Sequence, residues 1–434
     1  MSGLSFESMP PLFIPLRFFL TAPVFGILAS ILLLIYADTM FNSRWSGEIL
    51  ALTHLFTLGF MLMSMTGALF QFIPVITGYS IPESKKITPI IYFSLIIGTL
   101  FLVVGFLYSS ALFFQLSLLF LSIGFGVFTL ALSYLLITLN SEKEAVFILR
   151  LVDIALFITL ALGLFMIFAY AFEQFAISFR QYTNLHLMWG LLGWTILLIM
   201  AVSSQVIPMF HVTPPFPAKY LKSLSSALIL SLIFLSIIFL AGISDLVQMI
   251  AELVVSFGVL IFSFYTLYMV TKRKRKVKDI TINFWRMALV MPIVAVFLYW
   301  FNDLTLKLPS TQLEILLAIL FIFGLAISSI MGMVQKMVPF IIYIHLQRLT
   351  MSYMKTQPEK MGLLPNMQNL ISVKNQEIQF YLHLVTLLLL VLSLFINGWA
   401  IIAALLMLLD FSWLSYNLFY SAKQYQDISK RIKA

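Results

Sequence analysis

Long apolar stretches, each close to the ~20 residues that carry a helix across a bilayer, alternate along the whole chain with short polar connections. A window of about 20 residues places twelve of them, near 12–37, 48–77, 89–108, 112–138, 147–172, 184–210, 222–242, 246–271, 281–302, 312–342, 378–397 and 399–421. Two divisions rest on a pair of residues each, Ser109 with Ser110 and Asn397 with Gly398. The pattern predicts an all-α polytopic membrane protein, a single transmembrane domain of twelve helices.

Composition agrees, with 62% hydrophobic residues, 10% charged residues and a mean hydropathy of +1.04. Basic residues are unevenly placed. The connections after even-numbered spans and the C-terminal tail carry 20 of the 26, including six in "KRKRKVK", whereas Arg44, Arg180 and Lys307 are the three in the odd connections. The positive-inside rule then puts both termini in the cytoplasm, with the chain in the inner (plasma) membrane. A basic run between two spans is a topology signal and an attraction for anionic lipid, so the net charge of +9 implies no nucleic-acid partner. The first span is long enough to cross, and no cleaved signal is expected. With no cysteine, disulfides, thiolate metal sites and covalent haem attachment are excluded.

Three segments share a spacing. "GALFQFIP" (Gly67 to Pro74), "AVSSQVIP" (Ala201 to Pro208) and "GMVQKMVP" (Gly332 to Pro339) each place a small residue seven positions before a proline and a glutamine three or four before it. The prolines lie 134 and 131 residues apart, in spans 2, 6 and 10, so the repeating unit is four helices long, with pseudo-repeats over about 1–140, 141–275 and 276–434.

Twelve helices in three pseudo-symmetric arcs of four, with spans 2, 6 and 10 innermost, resemble the catalytic subunit of haem-copper oxidases and nitric oxide reductases. The stretch from His54 to "GALFQFIP" resembles the second helix of nitric oxide reductases, and "HLMWGLLGW" to "IPMFHVTPPFP" resembles the sixth helix of that superfamily. The resemblance implies a haem-ligating histidine at His54. It stops short of the oxidase ligand set. Span 7 has no histidine, and span 10 has none before His345. The chain therefore resembles a relative without a complete binuclear centre, of the type of the NnrS family. That resemblance implies haem b, with copper as a second option, and a role in the nitric oxide or respiratory redox response, or in electron transfer, rather than oxygen reduction. Its partners would then be the lipid bilayer and a small gaseous ligand or an electron donor. Enzymatic oxidoreductase activity and oligomeric state stay open.

Five histidines carry the candidate chemistry. His54 and His186 fall at one depth on two central helices, where two imidazoles can hold a haem iron from both sides. Gly59, Gly190 and Gly193 beside them either leave room for a flat macrocycle or serve tight helix contact. Arg180, just before span 6, either accepts a haem propionate or is simply solvated. His211, His345 and His383 lie towards the opposite face and are candidate ligands for a second metal or haem site, although His211 and His345 also sit where histidines often cap a helix C-terminus. Met61 and Met65, at i and i+4, offer thioethers to copper or packing to the core. Asp153, Glu252, Arg286, Lys336 and Asp410 fall within spans, where ionisable groups usually pair or line a polar path. Polar groups on kinked central helices with internal repeats also suit a transporter of a small ion, metal or solute, which is the alternative function class.

Overall fold

The structure, a computed structural model, describes residues 9–172, 179–274, 277–353 and 357–433. Among the described residues, twelve helices are long and apolar enough to cross a membrane: Phe13–Ile35, Gly47–Thr77, Ser84–Tyr108, Ala111–Thr138, Glu144–Phe172, Arg180–His211, Ala218–Ala241, Asp245–Thr271, Thr281–Leu304, Ser310–Tyr353, Val373–Leu392 and Trp399–Lys433, spans 1 to 12. Both short divisions are real breaks. Ser109 takes a left-handed φ of 49° and Gly398 one of 81°, conformations that end a helix within one residue. Spans 10 and 12 run on for 44 and 35 residues, beyond the ~20 a bilayer needs.

Each span packs on its neighbour within a group of four, and spans 4 and 5, 8 and 9, and 12 and 1 join the groups into a closed ring. Spans 2, 6 and 10 lie innermost: 67%, 78% and 78% of their apolar windows are buried, against at most 56% for any other. The three arcs of four are therefore the architecture of the protein.

The inner three share a feature that the proline spacing did not reveal. Each is an α-helix interrupted by a π-helical segment, at Leu55–Leu62, Trp189–Thr195 and Ile319–Ile327. Such segments are rare and concentrate at functional sites. Each contains a glycine 15 residues before the repeated proline: Gly59, Gly193 and Gly324. A Cβ at those glycines would meet Phe25 of span 1, Ala155 of span 5 and Met291 of span 9 respectively, so the first helix of each arc presses on its inner helix at the same level.

Both described chain ends, near residues 9 and 433, lie at one face, since an even number of crossings separates them. Basic residues at this terminal face also close helices. Arg150 donates from Nε to the Leu136 carbonyl (3.0 Å) and from Nη2 to the Leu139 carbonyl (2.6 Å), and Lys143 donates to the Ile76 carbonyl. These satisfy carbonyls that the last turns of spans 4 and 2 leave free.

Candidate functional site

Towards the face opposite the termini, the inner helices surround an apolar cavity of about 680 Å³, bounded by residues of spans 1 to 6 and 10 to 12. Ser46 starts span 2 as its N-cap, accepting from the Ile49 amide, and Glu48 sits in the first turn. Gly47 lets this helix begin against the backbone of span 3, because a Cβ there would meet the Phe106 carbonyl oxygen. His54 follows two turns in, at the start of the π segment. His186 lies at the matching end of span 6, three residues before its own π segment.

The two imidazoles meet across the cavity. Their ring centres are 6.4 Å apart and their planes 16° from parallel. His54 Nδ1 lies 2.7 Å from the Leu50 carbonyl oxygen, and His186 Nδ1 lies 2.9 Å from that of Thr159 on span 5. A carbonyl only accepts, so each ring carries a proton on Nδ1, and in the neutral form of the ring the lone pair lies on Nε2. Neither Nε2 has a hydrogen-bond partner among the described residues. This arrangement of an imidazole whose second nitrogen is anchored to a carbonyl is the one that orients histidine as a metal ligand. The His186 ring lies over Gly163 of span 5, where a Cβ would be 2.9 Å from its Cε1, while Phe106 packs on His54 at 5.2 Å.

Cations gather at the outer rim. Arg44 lies over the Trp45 ring at 4.3 Å and Arg180 at 5.6 Å, and both line the cavity. Arg44 donates from Nη2 to Asn184 Oδ1 (2.7 Å), and its Nε is 3.1 Å from Glu314 Oε2. That second contact is an ion pair and not an aligned hydrogen bond, so the Nε–H remains a buried donor without an acceptor. Burial lowers the Arg44 guanidinium from its ordinary pKa, Glu314 pulls it back up, and Arg180 adds to the fall. It stays charged at any physiological pH.

The glycines divide. Gly190 borders the cavity, 3.3 Å from Thr159 Cγ2 by its notional Cβ, whereas Gly59 faces Phe25 and Gly193 faces Ala155, Trp189 and Leu232, so these two serve helix contact. Met61 lines the cavity; Met65 is buried elsewhere in the core.

His211, His345 and His383 occupy separate settings. His211 Nδ1 is 3.2 Å from Asp279 Oδ2, and Asp279 also pairs with Lys336 (3.0 Å) and accepts from Thr281. His345 bonds the carbonyls of Ile341 and Pro10, and His383 is held between Ser328 and Asp410. Among the described residues no group of three or more His, Asp or Glu side chains is placed to hold a metal, so the three histidines do not form one second centre. Asp153 accepts from Ser133 (2.6 Å), Glu252 binds Gln248 and Tyr299, and Arg286 is exposed beside Asn283.

Sequence reasoning singled out both cavity histidines. It passed over Arg44, Trp45, Thr159 and Gly163. The spacing of Thr159 and Gly163, one helical turn apart on span 5, marks a shared face, but nothing in the sequence says that this face meets span 6. No family model matches the chain, and no curated protein matches it.

Proposed function

We propose that the protein is a haem-b-binding electron carrier of the plasma membrane, with both termini cytoplasmic, acting in a respiratory or nitric oxide redox response. One observation carries the proposal: two carbonyl-anchored imidazoles with no hydrogen-bond partner on Nε2 stand 6.4 Å apart, centre to centre, on one cavity. A single iron held between two imidazoles requires about 6.3 Å, from Fe–N bonds near 2 Å and about 1.1–1.2 Å from nitrogen to ring centre. The cavity lies within the roughly 300–1,000 Å³ of sites that bury a cofactor-sized ligand.

In this proposal His54 and His186 would hold the iron, Gly163 and Gly190 would keep space beside it, and Arg44 and Arg180 would donate to the propionates, the free Nε–H of Arg44 finding its acceptor there. Bound haem supplies one-electron exchange. The protein's own groups would fix the tautomer of each ligand through Leu50 and Thr159, exclude water with an apolar wall, and set two cations at the rim, whose pull towards the reduced form Glu314 would offset in part. With both imidazoles engaged, the group would have no place left for an oxygen molecule, so electron transfer would suit the site better than oxygen reduction. The uneven distribution of basic residues supports the orientation.

Interrupted helices around a central cavity also suit a transporter, and the π segments of spans 2, 6 and 10 favour that second class. Reduced-minus-oxidised spectra of the purified chain separate the two. Haem binding gives Soret and alpha bands that are lost or become five-coordinate in His54→Ala and in His186→Ala. A colourless wild type after haem loading, or an unchanged six-coordinate spectrum in either variant, overturns the ligand assignment.

A further inference from the structure

Spans 11 and 12 face each other across a file of polar side chains, half-buried at Asn375 and buried beyond it, that the histidine site does not use. On span 11 they recur every fourth residue, at Asn375, Gln379 and His383; on span 12 they stand at Asp410, Asn417 and Ser421. Such spacing puts each set on one helix face. From the terminal face inward, Asn375 Nδ2 donates to Asn417 Oδ1 (2.9 Å), and Gln379 Nε2 donates to the Asp410 backbone carbonyl (2.9 Å) and to its carboxyl Oδ1. Asp410 Oδ2 lies 2.7 Å from His383 Nδ1, and His383 Nε2 lies 2.9 Å from Ser328 Oγ on span 10. Ser328 Oγ is in turn 3.0 Å from the carbonyl oxygen of Phe323, inside the π segment. Ser328, His383 and Asp410 are fully buried. The Phe323 ring stacks on His383 at 4.6 Å and forms part of the cavity wall on its other side.

The order serine, imidazole, carboxylate matches that of a hydrolytic triad, but Ser328 is enclosed in a helix and has no opening to a substrate. The array has a different capability. Ser328 carries one proton and has two neighbours that can accept it. When it donates to the Phe323 carbonyl, His383 Nε2–H donates to Ser328, and a second proton lies between His383 Nδ1 and Asp410 Oδ2: the imidazole and carboxyl together are neutral. When that array loses one proton, Ser328 turns to donate to Nε2, and Nδ1–H donates to a carboxylate: the set carries one negative charge. Both states keep the two contacts of His383 made, and rotation of one hydroxyl converts between them.

We propose that Ser328, His383 and Asp410 form an exchangeable proton site within the membrane, filled from the terminal face along the seam of Asn375, Asn417 and Gln379. An intramembrane ionisable pair at the end of a polar file is the arrangement that moves protons in membrane proteins. The seam spans eight residues of span 11, about 12 Å. It also holds an unpaired buried acceptor and an unpaired buried donor, Gln379 Oε1 and Asn417 Nδ2, which is what a bridging water requires. Other charged groups on the packed helices are engaged or lie at the surface: Arg17 of span 1 lies against Phe13 and Tyr92, Arg286 and Asp303 of span 9 are exposed, Glu314 and Lys336 of span 10 pair with Arg44 and Asp279 while Arg348 is half-buried at that helix's far end, Glu377 of span 11 pairs with Lys278, and Lys374 and the charged residues of span 12 after Ala422 are exposed.

The test needs no bound haem. Infrared difference spectra of the full chain in lipid, between about pH 5 and pH 9, should contain a protonated-carboxyl band that Asp410→Asn removes and Asp410→Glu shifts. Ser328→Ala should move the midpoint of that band without removing it. Asn417→Leu should slow its exchange in heavy water by tenfold or more. A titrating carboxyl spectrum identical in wild type, Asp410→Asn and Asp410→Glu overturns the site, as does a wild type with no titrating carboxyl band; exchange unchanged in Asn417→Leu overturns the route.

Discussion

Gly163→Ala adds one carbon at the point where span 5 meets the His186 ring. The new Cβ would stand 2.9 Å from Cε1 and 3.4 Å from Nδ1, where ordinary van der Waals contact begins at 3.4 Å. The ring must therefore retreat by about 0.5 Å or span 5 must withdraw. Neither movement is free. The ring is tied by its 2.9 Å hydrogen bond to Thr159, one turn away on the same helix, so withdrawing span 5 pulls on the bond that sets the tautomer. Overpacking of this size costs about 1–3 kcal/mol, and at about 1.4 kcal/mol per tenfold change that would weaken the hold of His186 on the proposed haem iron by roughly 5- to 140-fold. The assay is the visible spectrum of the purified, haem-loaded chain with and without carbon monoxide, which binds iron only where an axial position is open. Gly163→Ala should show a new five-coordinate, carbon-monoxide-reactive fraction with His54 still bound. Gly126→Ala is the control, since nothing lies within 4 Å of a Cβ there. Identical coordination in wild type and Gly163→Ala, or equal loss in both glycine variants, refutes the placement of the ring and with it the two-histidine site.

Orientation is open to labelling, because the chain has no native cysteine. Asp303→Cys should react with an impermeant maleimide on intact cells and Lys219→Cys only after the membrane is opened, and the reverse pattern inverts the topology. At the terminal face, burial raises the Asp279 carboxyl, but the His211 hydrogen bond, the charges of Lys336 and His211 and the Thr281 hydrogen bond outweigh it, so its pKa falls below the ordinary 3.8. A depressed carboxyl stabilises the folded state fully above its unfolded pKa and loses that contribution as pH falls through the folded one. Asp279→Ala should cost about 3 kcal/mol at pH 7, the low end for a broken buried pair because 24% of the Lys336 side chain is exposed. Unfolding in detergent should show the wild-type advantage shrinking below about pH 4. A gap that stays constant down to pH 3 removes the charge from the explanation.

Crossing a bilayer is a local property: about 20 apolar residues suffice wherever they occur, and a helix satisfies its own backbone. That is why twelve spans and even the two-residue breaks at Ser109 and Gly398 were legible from the order of residues alone. Depth was legible for the same reason, since rise per residue is constant, and it set His54 and His186 at one level. The recurrence of a small residue, glutamine and proline marked spans 2, 6 and 10 as related, and burial places them at the centre. Rotation about the helix axis was not legible. Spans apolar on every side carry no stripe that says which face turns inward, so the sequence left Gly59 equally suited to a macrocycle and to Phe25, and could not pair His186 with Thr159 and Gly163 on a helix some 25 residues away. The π segments also escaped it, because an added residue per turn depends on what the neighbouring helices press against the chain rather than on the chain's own preference. Asp410 and His383 were visible as unusual residues within spans 11 and 12. Only the packing of span 10 beside them brought Ser328 to the imidazole and the Phe323 ring to the cavity wall, because contacts between distant segments are decided by how whole helices fit together.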